Sequence, residues 1–471
     1  MRYACRIDAR DTSNMTESPD ERSHFTMAVT QLGDRRDVVA SKAIFNSQGM
    51  KVVEKGVSIN NGLYARLMQH KLAVPLEDSV ISADAVNGDA LKRTAASIMA
   101  DVPFFGRLTA DPASRKLLLN VMETLPLPEA MAFQLTVARD VRPEIYMNLV
   151  RTALVAIWLA KSQATLLSRF DLGMAGAAGL LHDIGMLHVD PILLRATHRL
   201  NREQRRQLYS HPLVSTTLVE RHHQYSREVV RAVSEHQEYL DGSGYPRNLS
   251  GEAMSALGRV VSLAQVVAAM FAPGRNAPEM QLSVLLRMNT HRYDPAMSMQ
   301  ILTLVQPQLD VLSAAIELLE DPVQQLGEID AMLARLPLDL GNDPAVNPAR
   351  RVALATVAEH GAKLRRSLAG VGAVPDQLVQ LGDSVKDESV QTELTLLTRE
   401  ASWQLRTLAR EARRRWREQP EDDFPAPLRA WLDDVDAFVA KLARPQVQDS
   451  ADAEPSQIVL DTDSTEDTPT T

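Results

Sequence analysis

Two short stretches of the chain carry residue types that can hold a metal ion. The first contains the adjacent His182 and Asp183, within an almost wholly apolar stretch from Leu172 to Leu187. An imidazole and a carboxylate are expensive to bury unless they are paired or bind a cation. The second stretch begins at His236 and runs through Gln237 and Glu238 into the loop Asp241, Gly242, Ser243, Gly244, Tyr245 and Pro246. Together the two stretches predict a metal site.

A site of this kind would suit the hydrolysis of a phosphodiester bond. A bound divalent metal lowers the pKa of a water molecule and stabilises negative charge on the phosphoryl oxygens. Cys5 is the only cysteine of the chain. The ligands therefore have to be His, carboxylate or amide groups, and no disulfide can form within the chain.

The order and spacing of these residues resemble the signature of the HD-GYP family, helical metal-dependent phosphodiesterases that open the bacterial second messenger cyclic di-GMP. His182 with Asp183 matches the family's His-Asp pair, and His211 with Pro212 matches a later His-Pro motif. The loop of residues 241–246 reproduces the family's Asp-Gly-Ser-Gly-Tyr-Pro sequence. The resemblance covers about the middle third of the chain. It implies an Fe or Mn site in which Asp183 is the bridging, catalytic carboxylate, with further ligands from His182, His211 and His236.

Four positions depart from the family's pattern. Asn148 falls where the family has an upstream His, Gln237 where it has the second His of His-His-Glu, and Gln265 where it has a final Asp. Met186 replaces a Lys that contacts substrate phosphate. Amide oxygens are neutral donors that do not balance a cation's charge, and imidazole is the better ligand for Fe or Zn. The sequence therefore predicts an eroded metal site. Glu144, one helical turn before Asn148, is expected to compensate in part as a ligand.

Three functions are open at this point. The leading interpretation is a regulatory or binding role in signalling by cyclic di-GMP or a related cyclic dinucleotide, with weak or absent hydrolysis. A second is an active phosphodiesterase with a reduced, mononuclear site. A third is an interaction scaffold, because the resemblance also associates the loop around Tyr245 with docking of GGDEF-type proteins. The structural alternative for His182 and Asp183 is a buried polar pair at a helix end that binds no metal.

The elements around these residues are predicted to be helical. Leu149, Ala153, Ile157 and Ala160 recur at steps of three and four residues, which is the spacing of a core-facing helix. The fold class is therefore mainly α: an HD-type helical bundle with a small α+β N-terminal module and a C-terminal helical region. The predicted boundaries are a loose lead-in over 1–34, the α+β module over 35–117, the HD-GYP-type domain over 118–306, the helical region over 307–445, and an acidic disordered tail over 446–471.

Local signals refine the flanking regions. Short strands are predicted at Ala43–Phe45, Met50–Val53 and Val57–Ile59, followed by a helix capped by Asn60 or Asn61. Near the other end, apolar residues at helical spacing after two prolines predict a last helix. Its apolar positions are Leu428, Trp431, Leu432, Val435, Phe438, Val439 and Leu442.

Charge and targeting signals bound the environment. The formal net charge is -9, and seven of the acidic residues lie in the tail from Gln446 onward. This balance argues against nucleic acid as a partner, and the arginines between Trp403 and Trp416 are better explained as the solvated face of a helix. Neither a signal peptide nor an apolar membrane span is indicated. The sequence predicts a cytoplasmic protein.

Overall fold

The structure is a computed structural model that describes residues 19–109, 111–162, 172–194, 200–306, 316–337, 339, 346–417 and 425–442. The described chain is mainly α-helical, as predicted, with two small antiparallel sheets of two strands each. It divides into two compact units. The first holds the described residues up to Tyr239 together with Ser243–Ala269, and the second holds Leu240–Gly242 and the described residues from Met270 onward. The predicted acidic tail lies outside the described residues.

Helices make up most of the first unit. In chain order they are α1 Pro19–Gly33, α2 Asn61–Met68, α3 Gly88–Asp101, α4 Pro103–Arg107, α5 Pro112–Glu123, α6 Glu129–Val141, α7 Pro143–Ser162, α8 Leu172–Leu181, α9 Arg202–Tyr209, α10 His211–Glu220, α11 Arg227–Glu235 and α12 Ala256–Met270. Short 3₁₀ segments lie at Leu76–Asp78, Ile184–His188, Pro191–Leu194 and Gly251–Ala253.

The beginning of the chain differs from its prediction. An irregular lead-in is predicted up to residue 34, because Arg, Asp, Ser and Thr occur there without a period. Pro19–Gly33 is a helix instead. Phe25, Val29 and Leu32 are buried on it, so packing against the rest of the unit stabilises a segment whose sequence alone is a weak helix former.

The strands of the α+β module are short. β1 Val38–Ala40 pairs antiparallel with β4 Val80–Ser82, and β2 Ile44–Phe45 pairs with β3 Lys51–Val53. β2 and β3 lie within two of the predicted strands, whereas the third forms only an isolated bridge between Val39 and Ser58. Asn60 caps α2 as predicted, because its side-chain oxygen accepts the N–H of Gly62 at 3.0 Å.

Helix α7 is the central support of the first unit. Leu149, Ala153, Ile157 and Ala160 are all buried, as their spacing predicts. Gly179 of α8 lies so close to α7 that an added Cβ would come within 2.9 Å of the Ala153 Cα. Glycine is needed at this crossing, and it brings the end of α8 close to α7.

The second unit has its own apolar core. Its helices are α13 Pro278–Met288, α14 Pro295–Leu304, α15 Pro322–Ala334, α16 Pro348–Gly370, α17 Pro375–Leu378, α18 Glu388–Arg417 and α19 Ala426–Leu442, with a 3₁₀ segment at Val379–Lys386. Helix α19 is the helix predicted after the two prolines. Trp431 lies in the core and donates its indole N–H to the Met332 carbonyl at 2.9 Å.

Arginines on α18 pair with neighbouring acidic residues, and a Trp ring of α18 lies beside an arginine of α16. Arg415 pairs with Glu411 at 2.7 Å, and Arg413 bonds to Asp436. Arg350 of α16 lies 4.5 Å from the ring centroid of Trp416. These contacts agree with a helix face whose charges are balanced within the unit. No helix in the described ranges combines the length and the apolar character that crossing a membrane requires.

Candidate metal centre

The four predicted ligands come from three places in the first unit. His182 and Asp183 follow the end of α8, His211 begins α10, and His236 follows the last residue of α11. All three histidines are buried, with exposed fractions of 0%, 4% and 0% in that order. The Asp183 side chain is 16% exposed and lies among them. The structure therefore brings these four residues together.

Each histidine ring is fixed by its Nδ1 atom. In every case Nδ1 bonds to the backbone carbonyl three residues earlier, at Gly179 (2.8 Å), Leu208 (2.7 Å) and Val233 (2.7 Å) for His182, His211 and His236. A carbonyl oxygen only accepts, so Nδ1 carries the hydrogen in each neutral ring. The Nε2 lone pair is then left free, which is the arrangement found in metal-ligating histidines.

The three Nε2 atoms point at one carboxylate. His211 and His236 each place Nε2 3.2 Å from Asp183 Oδ1, and His182 places Nε2 3.3 Å from Oδ2. The Nε2 atoms of His211 and His236 are themselves 3.2 Å apart. One ligand atom each from Asp183, His211 and His236 all lie within 4.8 Å of one another. Lone pairs and a carboxylate at this spacing require a positive charge among them.

A divalent cation fits this requirement better than protons on the rings. Burial lowers the pKa of His236 to about 4, which opposes its protonation. Burial also works against ionisation of Asp183, but the neighbouring His182 and the contacts with the other two rings hold its pKa well below the usual range. The His182 Nε2 and Asp183 Oδ1 atoms are buried without a well-formed hydrogen bond. The donor set is therefore suited to an Fe, Mn or Zn ion.

Two of the substituted positions lie beside this centre and bond to each other. The Gln237 amide donates to Gln265 Oε1 at 3.4 Å, and Gln265 Nε2 donates to the His236 carbonyl at 3.1 Å. Their exposed fractions are only 6% and 5%. Where the resemblance implies a His and an Asp that ligate metal, this chain has a buried pair of neutral amides.

The other predicted residues take no part in the contacts among the four ligands. Glu144 is 60% exposed and accepts the Arg142 Nε–H at 2.9 Å, so the expected compensating ligand is directed elsewhere. Asn148 is half-buried on α7. Met186 is 8% exposed within the 3₁₀ segment after Asp183 and packs as an apolar side chain.

Glu238 supports the loop that follows it. Its two carboxylate oxygens accept the backbone N–H groups of Arg247 at 2.7 Å and Leu249 at 2.9 Å. Gly244 packs on the same segment, because an added Cβ would come within 2.5 Å of the Gln237 carbonyl oxygen. Both Glu238 oxygens are thus used to hold the loop, and the loop packs against the segment that carries His236.

Tyr245 is a loop residue that lies beside the centre. Its ring lies 4.6 Å from that of Tyr209, tilted by 42°, and meets the His211 ring edge-on at 6.2 Å. Asp241, at the other end of the loop, belongs to the second unit and contacts residues of that unit. Its carboxylate lies 3.4 Å from His291 Nε2 and 3.9 Å from Arg292 Nε. The loop therefore contributes an aromatic ring beside a candidate ligand.

Ser215 is a positioning residue that the sequence did not single out. It is fully buried on α10, and its Oγ accepts the N–H of Gly185 at 2.9 Å. This bond ties the 3₁₀ segment after Asp183 to the helix that begins at His211. A lone serine four residues after a His carries no distinctive sequence signal, so only the structure reveals it.

Gly185→Ala tests how tightly this junction is packed. An added Cβ would lie 2.7 Å from both the His211 carbonyl oxygen and the Ser215 backbone nitrogen. Because backbone atoms cannot move aside cheaply, we expect a loss of about 1–3 kcal/mol in the free energy of unfolding, measured by urea titration. Gly327→Ala is the control, since nothing lies within 4 Å of its added Cβ. It should be neutral or stabilise by about 0.5–1 kcal/mol; equal losses in both variants would contradict the prediction.

Comparison with known proteins finds a family model that matches part of the chain. Residues 95–297 match the family model described as HD domain, a range that contains all four candidate ligands. A 3'3'-cGAMP-specific phosphodiesterase of Vibrio cholerae is 29% identical over 38% of this chain and 35% of its own length. A cyclic di-GMP phosphodiesterase of Pseudomonas aeruginosa is 34% identical over 22% of this chain and 27% of its own length. The chain spans about a third or less of the length of these curated relatives.

One solved structure is also similar. It is described as an HDG"Y"P protein from Bdellovibrio bacteriovorus and aligns with 57% of this chain and 93% of its own, at 15% identity and a TM-score of 0.30. A score of this size does not bear on the fold, which rests on the helices described above.

Proposed function

We propose that this chain, a member of the HD-GYP family through its HD domain of residues 95–297, binds a cyclic dinucleotide. The binding centre holds one divalent metal ion. The chain hydrolyses the bound dinucleotide weakly or not at all. The role would be regulatory. Cyclic di-GMP and 3'3'-cGAMP are the ligands to consider, because the names of the relatives specify phosphodiesterases for these molecules.

The residues that would hold the metal are His182, Asp183, His211 and His236. Their rings and carboxylate converge at 3.2–3.3 Å with Nε2 lone pairs directed inward. A bound divalent metal supplies charge stabilisation at a phosphoryl group and makes a water molecule more acidic. The chain's own part is to fix the three rings through the backbone carbonyls and to exclude water from the histidines. Iron or manganese is the metal we propose.

The amide pair of Gln237 and Gln265 is the observation that carries the proposal of weak hydrolysis. A second metal beside His236 would need anionic or imidazole ligands there. Instead, the Gln237 amide donates to Gln265, and the Gln265 amide donates to the His236 carbonyl. In addition, Met186 offers no positive charge to a phosphate. These features support one metal per chain and a poorly stabilised transition state.

The direct test measures metal content, ligand binding and turnover on one sample. Protein purified with Mn or Fe is expected to hold about one metal ion per chain. It should bind cyclic di-GMP or 3'3'-cGAMP in calorimetry and convert neither above background. His236→Ala should lose the metal, whereas His223→Ala, an exposed histidine outside the centre, should retain it.

Two results would overturn this proposal in different directions. Two metals per chain with rapid conversion of cyclic di-GMP to the linear dinucleotide would identify an active phosphodiesterase. A chain that binds neither metal nor nucleotide would instead be an interaction scaffold. In that case, capture of a GGDEF-domain protein by the wild-type chain and its loss on Tyr245→Ala would identify the partner.

A further inference from the structure

Helix α7 carries a largely buried arginine that has no counterion among the described residues. Arg151 is only 6% exposed and lies in a stretch of buried apolar residues that includes Val150 and Ala153. Its Nε atom is enclosed without a hydrogen-bond partner. In the described part of the chain, its guanidinium forms neither an ion pair nor a hydrogen bond. A buried guanidinium without a counterion destabilises the folded protein, so a bound anion would remove this penalty.

Two more unpartnered polar groups share this face of α7. Arg151 and Thr152 lie three and four residues after Asn148. Residues at this spacing project from the same side of a helix, so the three side chains share one face of α7. The Thr152 hydroxyl is fully buried and has no hydrogen-bond partner in the described ranges. The half-buried Asn148 amide likewise bonds to no described residue. Three donors of different kinds are therefore available together.

The donors match a tetrahedral oxyanion. A guanidinium binds two oxygens of a phosphoryl group through parallel N–H bonds. The amide and the hydroxyl can then serve a third oxygen, which a carboxylate does not have. Burial lowers the pKa of Arg151, yet a guanidinium stays protonated in proteins. The group is thus a permanent cation on a mostly apolar stretch of α7.

We infer that the Asn148, Arg151 and Thr152 face of α7 is a phosphoryl-binding site. None of these three residues is among the ligands of the metal centre, and the inference stands whether or not the centre turns over a substrate. The phosphoryl group could belong to inorganic phosphate or to a phosphodiester of a cyclic dinucleotide. Both present the same oxygens to the guanidinium, so experiment has to separate the two sources.

The test compares the thermal stability of wild-type protein and of Arg151→Met with and without inorganic phosphate at matched ionic strength. Phosphate stabilises proteins in general through exclusion from their surface. We therefore expect a larger rise in Tm for the wild type than for Arg151→Met. Arg151→Lys keeps the charge but loses the planar fork, so it should show an intermediate rise. Arg93→Met removes an exposed arginine and should behave as the wild type.

Calorimetry with cyclic di-GMP then identifies the source. A loss of about tenfold or more in affinity in Arg151→Met assigns the site to a phosphodiester of the nucleotide. Unchanged affinity assigns it to free phosphate. The inference is overturned if phosphate raises the Tm of wild type and Arg151→Met equally. In that case Arg151→Met lowers the Tm by the same amount in every buffer, which is the signature of a purely structural arginine.

Discussion

The double variant Gln237→His with Gln265→Asp is expected to raise hydrolysis of cyclic di-GMP on the order of a hundredfold, which corresponds to about 2.7 kcal/mol of additional transition-state stabilisation. The physical reason is the buried amide pair beside His236. An imidazole and a carboxylate at these two positions supply the ligand types that a second metal requires. Metal content should rise with activity, toward about two ions per chain.

Single variants make this prediction sharper. Gln237→His or Gln265→Asp alone supplies only one of the two ligands and leaves the remaining glutamine without its amide partner. The gain is therefore expected in the double variant and not in either single one, so the two changes should be strongly non-additive. Gln224→His places an imidazole at an exposed site and should leave turnover at the wild-type level. A double variant that stays at background with one metal would count against the role assigned to the amide pair.

Asp183→Ala is expected to weaken metal binding at least about a hundredfold, a larger effect than loss of an outer-shell group. Asp183 contacts all three rings, through Oδ1 to His211 and His236 and through Oδ2 to His182. Its removal leaves three neutral donors and no anionic charge to offset the cation.

The measurement is the stabilisation that metal confers. With Mn or Fe at a hundred times the dissociation constant, the wild-type protein should gain about 2.7 kcal/mol in its free energy of unfolding. Asp183→Ala should gain almost nothing at the same metal concentration. The exposed Asp37→Ala is the matched control and should gain as much as the wild type. If Asp183→Ala is stabilised as strongly as the control, the metal binds elsewhere.

Local sequence signals predicted much of what positions the site. Asn60 caps α2 because capping depends on residues only two positions apart. The apolar stripe of α7 is buried because a helix repeats every three to four residues. By contrast, the pairing of β1 with β4 joins segments about forty residues apart, and the burial that makes α1 a helix comes from tertiary contacts. Neither is encoded in a short window of sequence.

The candidate centre shows the same division. Motif order was enough to nominate His182, Asp183, His211 and His236, and the structure brings them together; whether they bind metal stays a prediction. Glu144 is predicted as a ligand from helical spacing alone. Spacing does not give the direction of a side chain, and Arg142 holds that carboxylate at the surface. The mutual bond of Gln237 and Gln265 joins positions 28 residues apart, which no local pattern contains.

The three ring-to-carbonyl bonds have a consequence for how the protein opens. Gly179, Leu208 and Val233 lie in the last turns of α8, α9 and α11, where carbonyls lack a partner within the helix. Each histidine therefore both closes a helix end and presents a ligand. A metal that joins the three rings would couple the fraying of three separate helices, and amide hydrogen exchange in those last turns should slow together when the metal is added.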